Sequence, residues 1–304
     1  MSQQKRRPPL RWTVEETDTL LPFLLAHVTG KSRNNIKSIL ARGQVRVNGK
    51  VVRQFDSALA SGMVVEAVLW AEPPRPELPF PVLFEDEDII VIDKPAGLLT
   101  IANDKEKVRT AYHILTDYMA ERTKGGRVFV VHRLDRDTSG VVLFSKNEEA
   151  KRAFQSDWDK RVVRRGYRAL VEGTPEPAEG RVKSFLRETS THLMYSGAPG
   201  RDAKEAITHY RTLFAGGGYA LMDIDLKTGR KNQIRVHMSD LGHPIAGDKQ
   251  YKAKTNPLGR LCLHANELRL IDPRTGEERS FVSKEPAPFR RLCRASAAPR
   301  KKGV

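Results

Sequence analysis

A proline-rich segment between residues 72 and 81 most constrains how this chain can fold. Within nine residues the sequence places five prolines: Pro73, Pro74, Pro76, Pro79 and Pro81. Proline lacks a backbone N–H and fixes φ, so neither a helix nor a central strand continues through such a stretch. We therefore predict a semi-rigid linker that divides the chain into two separately folded parts.

The chain carries a large excess of positive charge. Lysine and arginine number 53 against 37 aspartate and glutamate residues, which gives a formal net charge of +16 at pH 7. An excess of this size in a soluble protein is typical of a nucleic-acid partner. A basic surface that serves only solubility is the alternative. Charge alone does not distinguish RNA from DNA, or a binding protein from an enzyme.

Composition disfavours several classes of protein. The sequence contains no stretch of about 18 apolar residues, which argues against a membrane-spanning helix. No apolar segment follows the basic N-terminal residues as in a signal peptide, so we expect a cytoplasmic protein. Two cysteines, Cys262 and Cys293, are too few for a disulfide framework or a zinc site of several thiolates. We also expect a monomer.

Charge and apolar patterning predict five segments along the chain. The first and last segments are basic and carry no regular apolar pattern. The predicted bounds are 1–14 for a disordered arm, 15–71 for a small domain, 72–81 for the linker, 82–292 for a large domain and 293–304 for a basic tail.

The segment before the linker has the pattern of a small mixed domain. An apolar run over residues 19–26 predicts a short helix, and Ser32 is a suitable N-cap for a second helix. Asn48-Gly49 predicts a tight hairpin turn, and a third strand over 63–69 closes a small sheet. The second helix and its end carry three cations: Arg33, Lys37 and Arg42. They fit an ordinary solvated helix face as well as an RNA-binding face.

Strand patterns outnumber helix patterns after the linker. The predicted strands cover residues 89–92, 128–131, 141–144, 167–171, 208–213 and 220–226. The predicted helices run from about 111 to 118, from Asn147 as cap to 158, and from 233 to 241. Because strands often follow each other directly, we predict an α+β domain with a mixed, mostly antiparallel sheet.

The densest polar cluster lies at residues 130–140, between two predicted strands. A loop that only turns needs Gly, Asn or Asp, and does not need five ionisable groups. Asp135 is flanked by His132, Arg133 and Arg136. Nearby cations favour the charged form of a carboxylate, which is the form that a nucleophile needs. A salt-bridged surface turn explains the same pattern.

Two further segments combine polar and apolar residues. Residues 226–237 form a turn and a helix start rich in Arg, Lys, Asn and Gln, which suits phosphate binding or a solvated basic turn. In that helix Arg235 lies about 100° from Ile234, at the rim of the apolar face. Tyr167 shares a strand face with Ala169, where an aromatic residue usually belongs to the core.

The small domain resembles a known RNA-binding module. The matching residues are Ser32-Arg33, Ile36-Lys37 and Gly43-x-Val45-x-Val47-Asn48-Gly49. On these, residues 17–70 resemble the α-L module first named from a small-subunit ribosomal protein. The resemblance implies contacts of Arg33, Lys37 and Arg42 with the backbone of structured RNA. Such contacts position a protein and do not read sequence.

The motifs of the large domain occur together, in the same order, in one enzyme family. They are Asp93-Lys94-Pro95-Ala96-Gly97-Leu98, His132-Arg133-Leu134-Asp135-x-x-Thr138-Ser139-Gly140, Tyr167-x-Ala169-Leu170-Val171-x-Gly173, Thr228-Gly229-Arg230-x-x-Gln233-Ile234-Arg235-Val236-His237, Leu241-Gly242-His243-Pro244-Ile245-x-Gly247-Asp248 and Leu263-His264-Ala265. On these motifs, residues 82–290 resemble the RluA-type pseudouridine synthases. Asn232 departs from the pattern, since the family commonly has histidine there.

The resemblance implies an isomerase that converts uridines of structured RNA to pseudouridine, with ribosomal RNA as the expected substrate and transfer RNA as the second choice. It implies that Asp135 is the essential carboxylate, which either attacks the ribose anomeric carbon or removes the neighbouring ribose proton. Tyr167 would stack on the uracil and accept the surplus proton. Arg235 would pair with Asp135 and keep it ionised.

The resemblance also implies residues around the target nucleotide. Arg133 would lie beside the flipped nucleotide, and Arg230 would contact RNA. The reaction is redox-neutral, so we expect neither a cofactor nor a metal. His237 and His243 have no third ligand at a suitable spacing for a metal site.

Two other functions remain as alternatives. A non-catalytic RNA-binding or ribosome-assembly factor is compatible with the charge and the modules. The presence of Asp135, Tyr167 and Arg235 favours the enzyme, because a lapsed enzyme is free to lose them. A DNA-binding regulator fits the charge, but the motifs include no helix-turn-helix pattern.

Overall fold

Residues 9–69, 78–104, 106–123 and 125–294 are described by a computed structural model. The chain divides into two units, of which the first ends at Glu77 and the second begins at Leu78.

The first unit builds two small sheets beside two helices. The elements are β1 (Leu10–Thr13), β2 (Asp18–Thr19), α1 (Leu20–His27), α2 (Arg33–Ala41), β3 (Val45–Val47), β4 (Lys50–Val51), β5 (Ala58–Leu59) and β6 (Val64–Ala67). Four strands form an antiparallel sheet in the order β1-β6-β3-β4, and β2 pairs with β5.

Local sequence signals explain this arrangement. The Asn35 N–H donates to Ser32 Oγ at 3.3 Å, so the predicted cap of α2 is formed. Asn48 and Gly49 have φ of 50° and 78°, the left-handed conformation that a tight hairpin turn between β3 and β4 requires. The apolar face of α2 is buried in the core of the unit. Helix α1 and strand β6 lie where the sequence predicts them, to within two residues.

The predicted end of the disordered arm at residue 14 is wrong. Leu10–Thr13 form β1, which pairs with β6, and Val14 is buried in the core. Trp12 packs against the same core. These apolar residues directly follow a basic, proline-containing stretch, whose composition concealed a four-residue strand. Residues 1–8 of the predicted arm lie outside the described residues.

The predicted limits of the large domain also need correction. Phe80 is buried, and the Asp93 N–H donates to the Pro81 carbonyl at 2.9 Å, so residues 78–81 belong to the second unit. The rest of the predicted linker lies outside the described residues. At the other end Cys293 is buried within the last helix, so a tail that starts at residue 293 starts too early. Residues 295–304 lie outside the described part of the chain.

The second unit contains eleven strands and five helices among its described residues. They are β7 (Val82–Glu85), β8 (Ile89–Lys94), α3 (Ala111–Arg122), β9 (Phe129–Val130), β10 (Ser139–Ser145), α4 (Glu148–Ser156), α5 (Trp158–Arg161), β11 (Val162–Glu172), β12 (Glu179–Glu188), β13 (Met194–Gly197), β14 (Lys204–Gly216), β15 (Tyr219–Leu226), α6 (Gln233–Asp240), β16 (Leu263–Ile271), β17 (Glu278–Val282) and α7 (Ala287–Arg294).

The strands form one mixed sheet, which confirms the α+β class predicted for the large domain. Its order is β13-β12-β14-β15-β11-β16-β10-β8-β7, with β17 beside β16 and β9 beside β10. Only β10 and β16 run parallel among the described strand pairs. A Cβ on Gly140, where φ is 114°, would lie 2.0 Å from the Ala265 carbonyl oxygen. Glycine therefore permits the close approach of these two strands.

Alternate residues of the central strands face two different layers of core. Ile92 points to the side that helix α3 covers with Leu115 and Tyr118. Its neighbour Val91 points to the opposite side, where Phe154 of α4 packs. Both faces of this part of the sheet are therefore buried, which explains its nearly continuous apolar strands.

Candidate active site

One cavity of about 340 Å³ in the second unit is lined by Asp135, Tyr167 and Arg235. Arg133 and Arg230 line it as well. The structure thus brings together the five residues of the large domain that the sequence singled out. The other three, Arg33, Lys37 and Arg42, are exposed in the first unit.

Asp135 lies in the loop between β9 and β10, and its neighbours fix this loop. Leu134 is buried, and its N–H donates to Thr100 Oγ1 at 3.2 Å. The Thr100 hydroxyl donates in return to the Leu134 carbonyl at 2.8 Å. The Thr138 N–H donates to the Asp135 carbonyl at 3.2 Å. Asp135 therefore presents its side chain to the cavity from an anchored backbone.

Lys94 joins the Asp135 loop to a second loop. Its side chain is fully buried, and Nζ donates to the carbonyls of Pro95, Leu98 and Arg136 at 3.0, 2.7 and 3.1 Å. Burial lowers the pKa of Lys94 to about 7, although the negative charges of Asp137 and Asp135 oppose this shift. The sequence placed Lys94 in a motif without assigning it a function, and the three carbonyl contacts now supply one.

The cations that flank Asp135 in the sequence mostly face elsewhere, contrary to the prediction. His132 Nε2 accepts from the Leu143 N–H at 3.0 Å, and its ring stacks on Trp158 at 4.9 Å. Burial lowers the pKa of His132 to about 3, so this ring is neutral at pH 7. Arg136 forms a two-point ion pair with Asp137. His132 and Arg136 are thus engaged with partners other than Asp135.

Tyr167 follows an irregularity in the pairing of strand β11 with strand β16. Against β16, Gly166 pairs with Glu267 while Tyr167 pairs with Ala265, so Asn266 is left over as a bulge. Bulges redirect the side chains beside them. Burial, together with the charge of Asp135, raises the pKa of Tyr167 to about 12. The phenol is therefore protonated at neutral pH, and its ring forms an apolar wall of the cavity.

Arg235 reaches the cavity from helix α6 but does not pair with Asp135. Its Nε and Nη2 donate to the two carboxylate oxygens of Asp248, both at 2.7 Å. The expected Arg235–Asp135 ion pair is absent among the described residues, because the guanidinium fork fits the buried Asp248 carboxylate. Burial opposes the charge of Arg235, yet the Asp248 pair outweighs it, so the pKa of Arg235 is raised. Asp135 acts on Arg235 only through its charge.

Two further polar groups complete the surroundings of Arg235. Nη1 donates to Asn232 Oδ1 at 3.1 Å, and Nη2 donates to Gln250 Oε1 at 2.9 Å. The guanidinium lies 4.7 Å from the centre of the Tyr251 ring. Every nitrogen of the guanidinium is thus engaged, and its position is fixed.

The arrangement combines three groups that a base-modifying reaction needs. A partly exposed carboxylate such as that of Asp135 has the chemistry of a nucleophile or a base. A protonated phenol, as at Tyr167, is able to exchange protons, and the guanidinium of Arg235 carries a fixed positive charge.

Sequence comparison points to the same chemistry. The family described as RNA pseudouridylate synthase matches this chain over residues 88–240, a span that includes all three groups.

The chain belongs to the RNA pseudouridine synthase family.

Relatives of this synthase span most of its length. A Chlorobaculum parvum protein named an uncharacterized RNA pseudouridine synthase is 33% identical over 302 residues, covering 87% of this chain and 89% of its own. The ribosomal large subunit pseudouridine synthase D of Vibrio cholerae is 31% identical and covers 85% of both chains. The synthase is therefore an isomerase that acts on RNA.

A solved structure shares the fold of this synthase. The human RNA pseudouridylate synthase domain containing 4 aligns with a TM-score of 0.57 and 25% sequence identity. The alignment covers 69% of this chain and 90% of the human chain.

Asn232 occupies a position where the sequence motif of the family commonly has histidine. It precedes α6 with φ of 53°, a left-handed conformation that asparagine tolerates better than most residues. Its Oδ1 accepts from Arg235, and its Nδ2 donates to the Tyr251 hydroxyl at 3.1 Å. Asparagine thus both donates and accepts here.

Gln233 fixes the turn that carries Arg230. Its Nε2 donates to the Ile207 carbonyl and to Thr208 Oγ1 at 3.0 and 2.9 Å. Its Oε1 accepts from the Arg230 N–H at 3.0 Å and from the Thr228 hydroxyl at 2.8 Å. This wall of the cavity is therefore held to β14.

The histidines considered for a metal site have other partners. His237 is buried between the Thr208 and Ser184 hydroxyls, at 2.8 and 2.9 Å. His243 Nδ1 contacts the Glu172 carbonyl at 2.8 Å. The described residues contain no group of three or more His, Cys, Asp or Glu side chains arranged to hold a metal ion.

None of the helices in the described part of the chain has the length and apolar character needed to span a membrane.

Proposed function

We propose that this synthase isomerises uridines of ribosomal RNA, with Asp135 as the essential carboxylate. The observation that carries this proposal is the single cavity lined by Asp135, Tyr167 and Arg235. Its volume of about 340 Å³ lies within the range of small-ligand sites and accommodates an extruded base. A uridine must leave its stack to reach such a cavity, at a cost of a few kcal/mol that is lowest in loops.

The reaction breaks the N1–C1′ bond of uridine and forms a C5–C1′ bond. Asp135 either attacks C1′ or removes the C2′ proton, and both routes release the uracil within the cavity. The uracil then turns so that C5 faces C1′. The C5–C1′ bond forms as the Asp135–C1′ ester bond breaks on the first route, or as Asp135 returns the proton to C2′ on the second. After the new bond forms, the surplus C5 proton leaves and N1 holds one proton, so the product is an isomer of the substrate.

Tyr167 accepts the C5 proton in this scheme. Because its pKa is raised to about 12, the hydroxyl is protonated before the reaction. It therefore gives its own proton to solvent as it accepts the C5 proton, and N1 of the uracil takes up one proton from solvent. Its ring provides the surface on which the uracil stacks and turns.

Arg235 acts on the carboxylate from a fixed position. The Asp248 pair holds its guanidinium at the cavity wall, where its charge attracts Asp135. A preorganised charge of this kind acts on the Asp135 carboxylate without reorganisation during the reaction. Arg133 is exposed at the cavity and stands beside the extruded nucleotide, and Arg230 contacts the RNA backbone.

The choice of ribosomal RNA is supported by the relative from Vibrio cholerae, whose name includes the ribosomal large subunit. Transfer RNA is the second candidate.

The test incubates the full chain with unmodified large-subunit ribosomal RNA and, separately, with bulk transfer RNA, and maps pseudouridine by sequencing. We expect new pseudouridine in ribosomal RNA. Its appearance only in transfer RNA would overturn the substrate, and its absence from both RNAs and from assembling ribosomal particles would overturn the activity.

The first unit is proposed to be an α-L RNA-binding domain. Arg33 and Lys37 are exposed on α2, and Arg42 is exposed at its end. The capped helix followed by the Asn48-Gly49 hairpin supports this assignment. Three exposed cations on one short helix and its end suit contacts with phosphates.

A further inference from the structure

A groove adjoins the active-site cavity and shares one wall with it. The shared wall is formed by Gly229, Arg230 and Lys231, which line both spaces. The groove has a volume of about 370 Å³, close to that of the active-site cavity. Its other lining residues are Leu186, Glu188, Met194, Asp202 and Lys204.

The groove combines an apolar floor with charges at its edge. Leu186 and Met194 are buried and belong to one small core cluster. Ligand sites combine apolar surface with placed polar groups, and five of the eight lining residues of this groove are charged. The space is therefore suited to a nucleotide, with its base on the apolar floor and its phosphate at the charged edge.

The shared wall carries two cations whose positions are fixed. Lys231 Nζ donates to Glu188 Oε1 at 2.6 Å and to the His192 carbonyl at 3.1 Å. Arg230 Nε donates to the Glu205 carbonyl at 3.0 Å. A phosphate that links a nucleotide in the cavity to one in the groove must pass this wall, where both cations stand.

Two charged side chains of the groove, those of Asp202 and Lys204, are available to bind a ligand. Among the described residues no hydrogen bond or ion pair engages the side chain of Asp202 or of Lys204. Both side chains belong to exposed residues that line the groove. A carboxylate accepts hydrogen bonds from base amino groups, and an ammonium group pairs with phosphate.

We propose that this groove binds the nucleotide next to the isomerised uridine, with Asp202 accepting from its base and Lys204 contacting its phosphate. The inference rests on the proposed function, since the uridine in the cavity defines its neighbour. Adenine, cytosine and guanine carry an exocyclic amino group that projects from the ring, whereas the N–H donor of uracil, N3–H, lies between two carbonyl oxygens that repel a carboxylate. The groove therefore disfavours uracil at the neighbouring position.

The test measures binding of fluorescein-labelled hexanucleotides to the full chain by anisotropy. One RNA has a single uridine flanked by adenosines, and the other is hexauridine. Wild type is expected to bind the adenosine-flanked RNA roughly three- to tenfold more tightly. Asp202→Asn removes that preference, and Lys204→Ala weakens both RNAs roughly threefold or more.

Matched variants elsewhere in the second unit control for loss of charge. Asp117→Asn changes an exposed carboxylate on α3, and Lys160→Ala removes an exposed lysine on α5. Both are expected to bind like wild type. The groove is rejected if Asp202→Asn keeps the base preference, or if Lys204→Ala binds no more weakly than Lys160→Ala.

Pseudouridine formation in ribosomal and transfer RNA, measured with the same proteins, separates the two proposals. Wild type that yields no pseudouridine but shows the expected hexanucleotide pattern overturns the proposed activity and supports the nucleotide-binding groove. Wild type that is active, with both groove variants binding like their controls, supports the activity and overturns the groove.

Discussion

Arg235 and Asp248 form a two-point ion pair in which both N···O distances are 2.7 Å. The Asp248 side chain is 1% exposed and that of Arg235 is 15% exposed, so the pair is shielded from screening by solvent. Asp248 also caps the turn at Lys249–Tyr251 through the Tyr251 N–H. The arginine that faces Asp135 is thus held by a carboxylate that does not itself line the cavity.

Replacement of Asp248 tests this support directly. Asp248→Asn keeps the capping oxygen but loses the charge, so we expect Arg235 to shift and turnover to fall about 10- to 100-fold. RNA affinity is expected to change little, because Asp248 does not line the cavity. Single-turnover rates and filter-binding affinities, with Asp117→Asn as control, check both statements. Wild-type turnover in Asp248→Asn would contradict the positioning of Arg235 by Asp248.

Tyr167→Phe separates proton transfer from stacking. The phenylalanine retains the ring and loses the hydroxyl, so we expect unchanged RNA affinity and isomerisation slowed roughly 100-fold or more.

The pKa of Tyr167, raised to about 12, adds a spectroscopic test. An ordinary tyrosine, with a pKa of 10, is mostly ionised at pH 10.5. The difference in absorbance at 295 nm between wild type and Tyr167→Phe should therefore show no phenolate at pH 10.5. A step near pH 10 would contradict the burial of this phenol.

Two histidines with lowered pKa values, His132 and His237, predict how stability depends on acid. The pKa of His132 is lowered to about 3 and that of His237 to about 4, both below the ordinary 6.5. The unfolded chain therefore binds these protons first, and stability falls as the pH drops below 6.5. His132→Gln should reduce the slope of unfolding free energy between pH 5.5 and 4.5 by about 1.4 kcal/mol per pH unit. Urea unfolding at several pH values measures that slope, and an unchanged slope would show that His132 titrates normally.

Deletion of residues 1–77 tests the RNA-binding proposal for the first unit. We expect weaker binding to ribosomal RNA and a shallower dependence of log affinity on log salt concentration. Loss of contacts from Arg33, Lys37 and Arg42 should reduce the slope by about 2 to 3. Titrations between 50 and 300 mM salt provide the measurement, with the triple alanine variant of those residues as a second protein. An identical slope in all three proteins would mean that the first unit makes no phosphate contacts.

Local signals explain which parts of the fold were predictable. Ser32 and Asn147 cap their helices as expected, since capping depends on residues three positions away. Strands β12 and β17 were not predicted, because charged residues alternate with their apolar ones and conceal the pattern. Their pairing depends on distant partners, as β12 with β14 and β17 with β16, and such pairing is not visible in a local window.

The candidate site was likewise predictable in its residues but not in all of its contacts. Asp135, Tyr167 and Arg235 were singled out from their motifs, and one cavity brings them together. The ion pair of Arg235 was assigned to the wrong carboxylate, because side-chain direction decides between Asp135 and Asp248. Lysine is usually exposed, so burial of Lys94 cannot be read from sequence.

The central claim is that Asp135 carries the reaction, and tritium release tests it most directly. RNA labelled at uracil C5 loses tritium when the C5–C1′ bond forms, so release counts isomerisation events. The measurement compares wild type with Asp135→Asn, which preserves the shape of the side chain, on the same labelled ribosomal RNA. RNA affinity is measured in parallel. We predict release by wild type, none above background by Asp135→Asn, and nearly equal affinities. Release by Asp135→Asn at the wild-type rate would contradict the account.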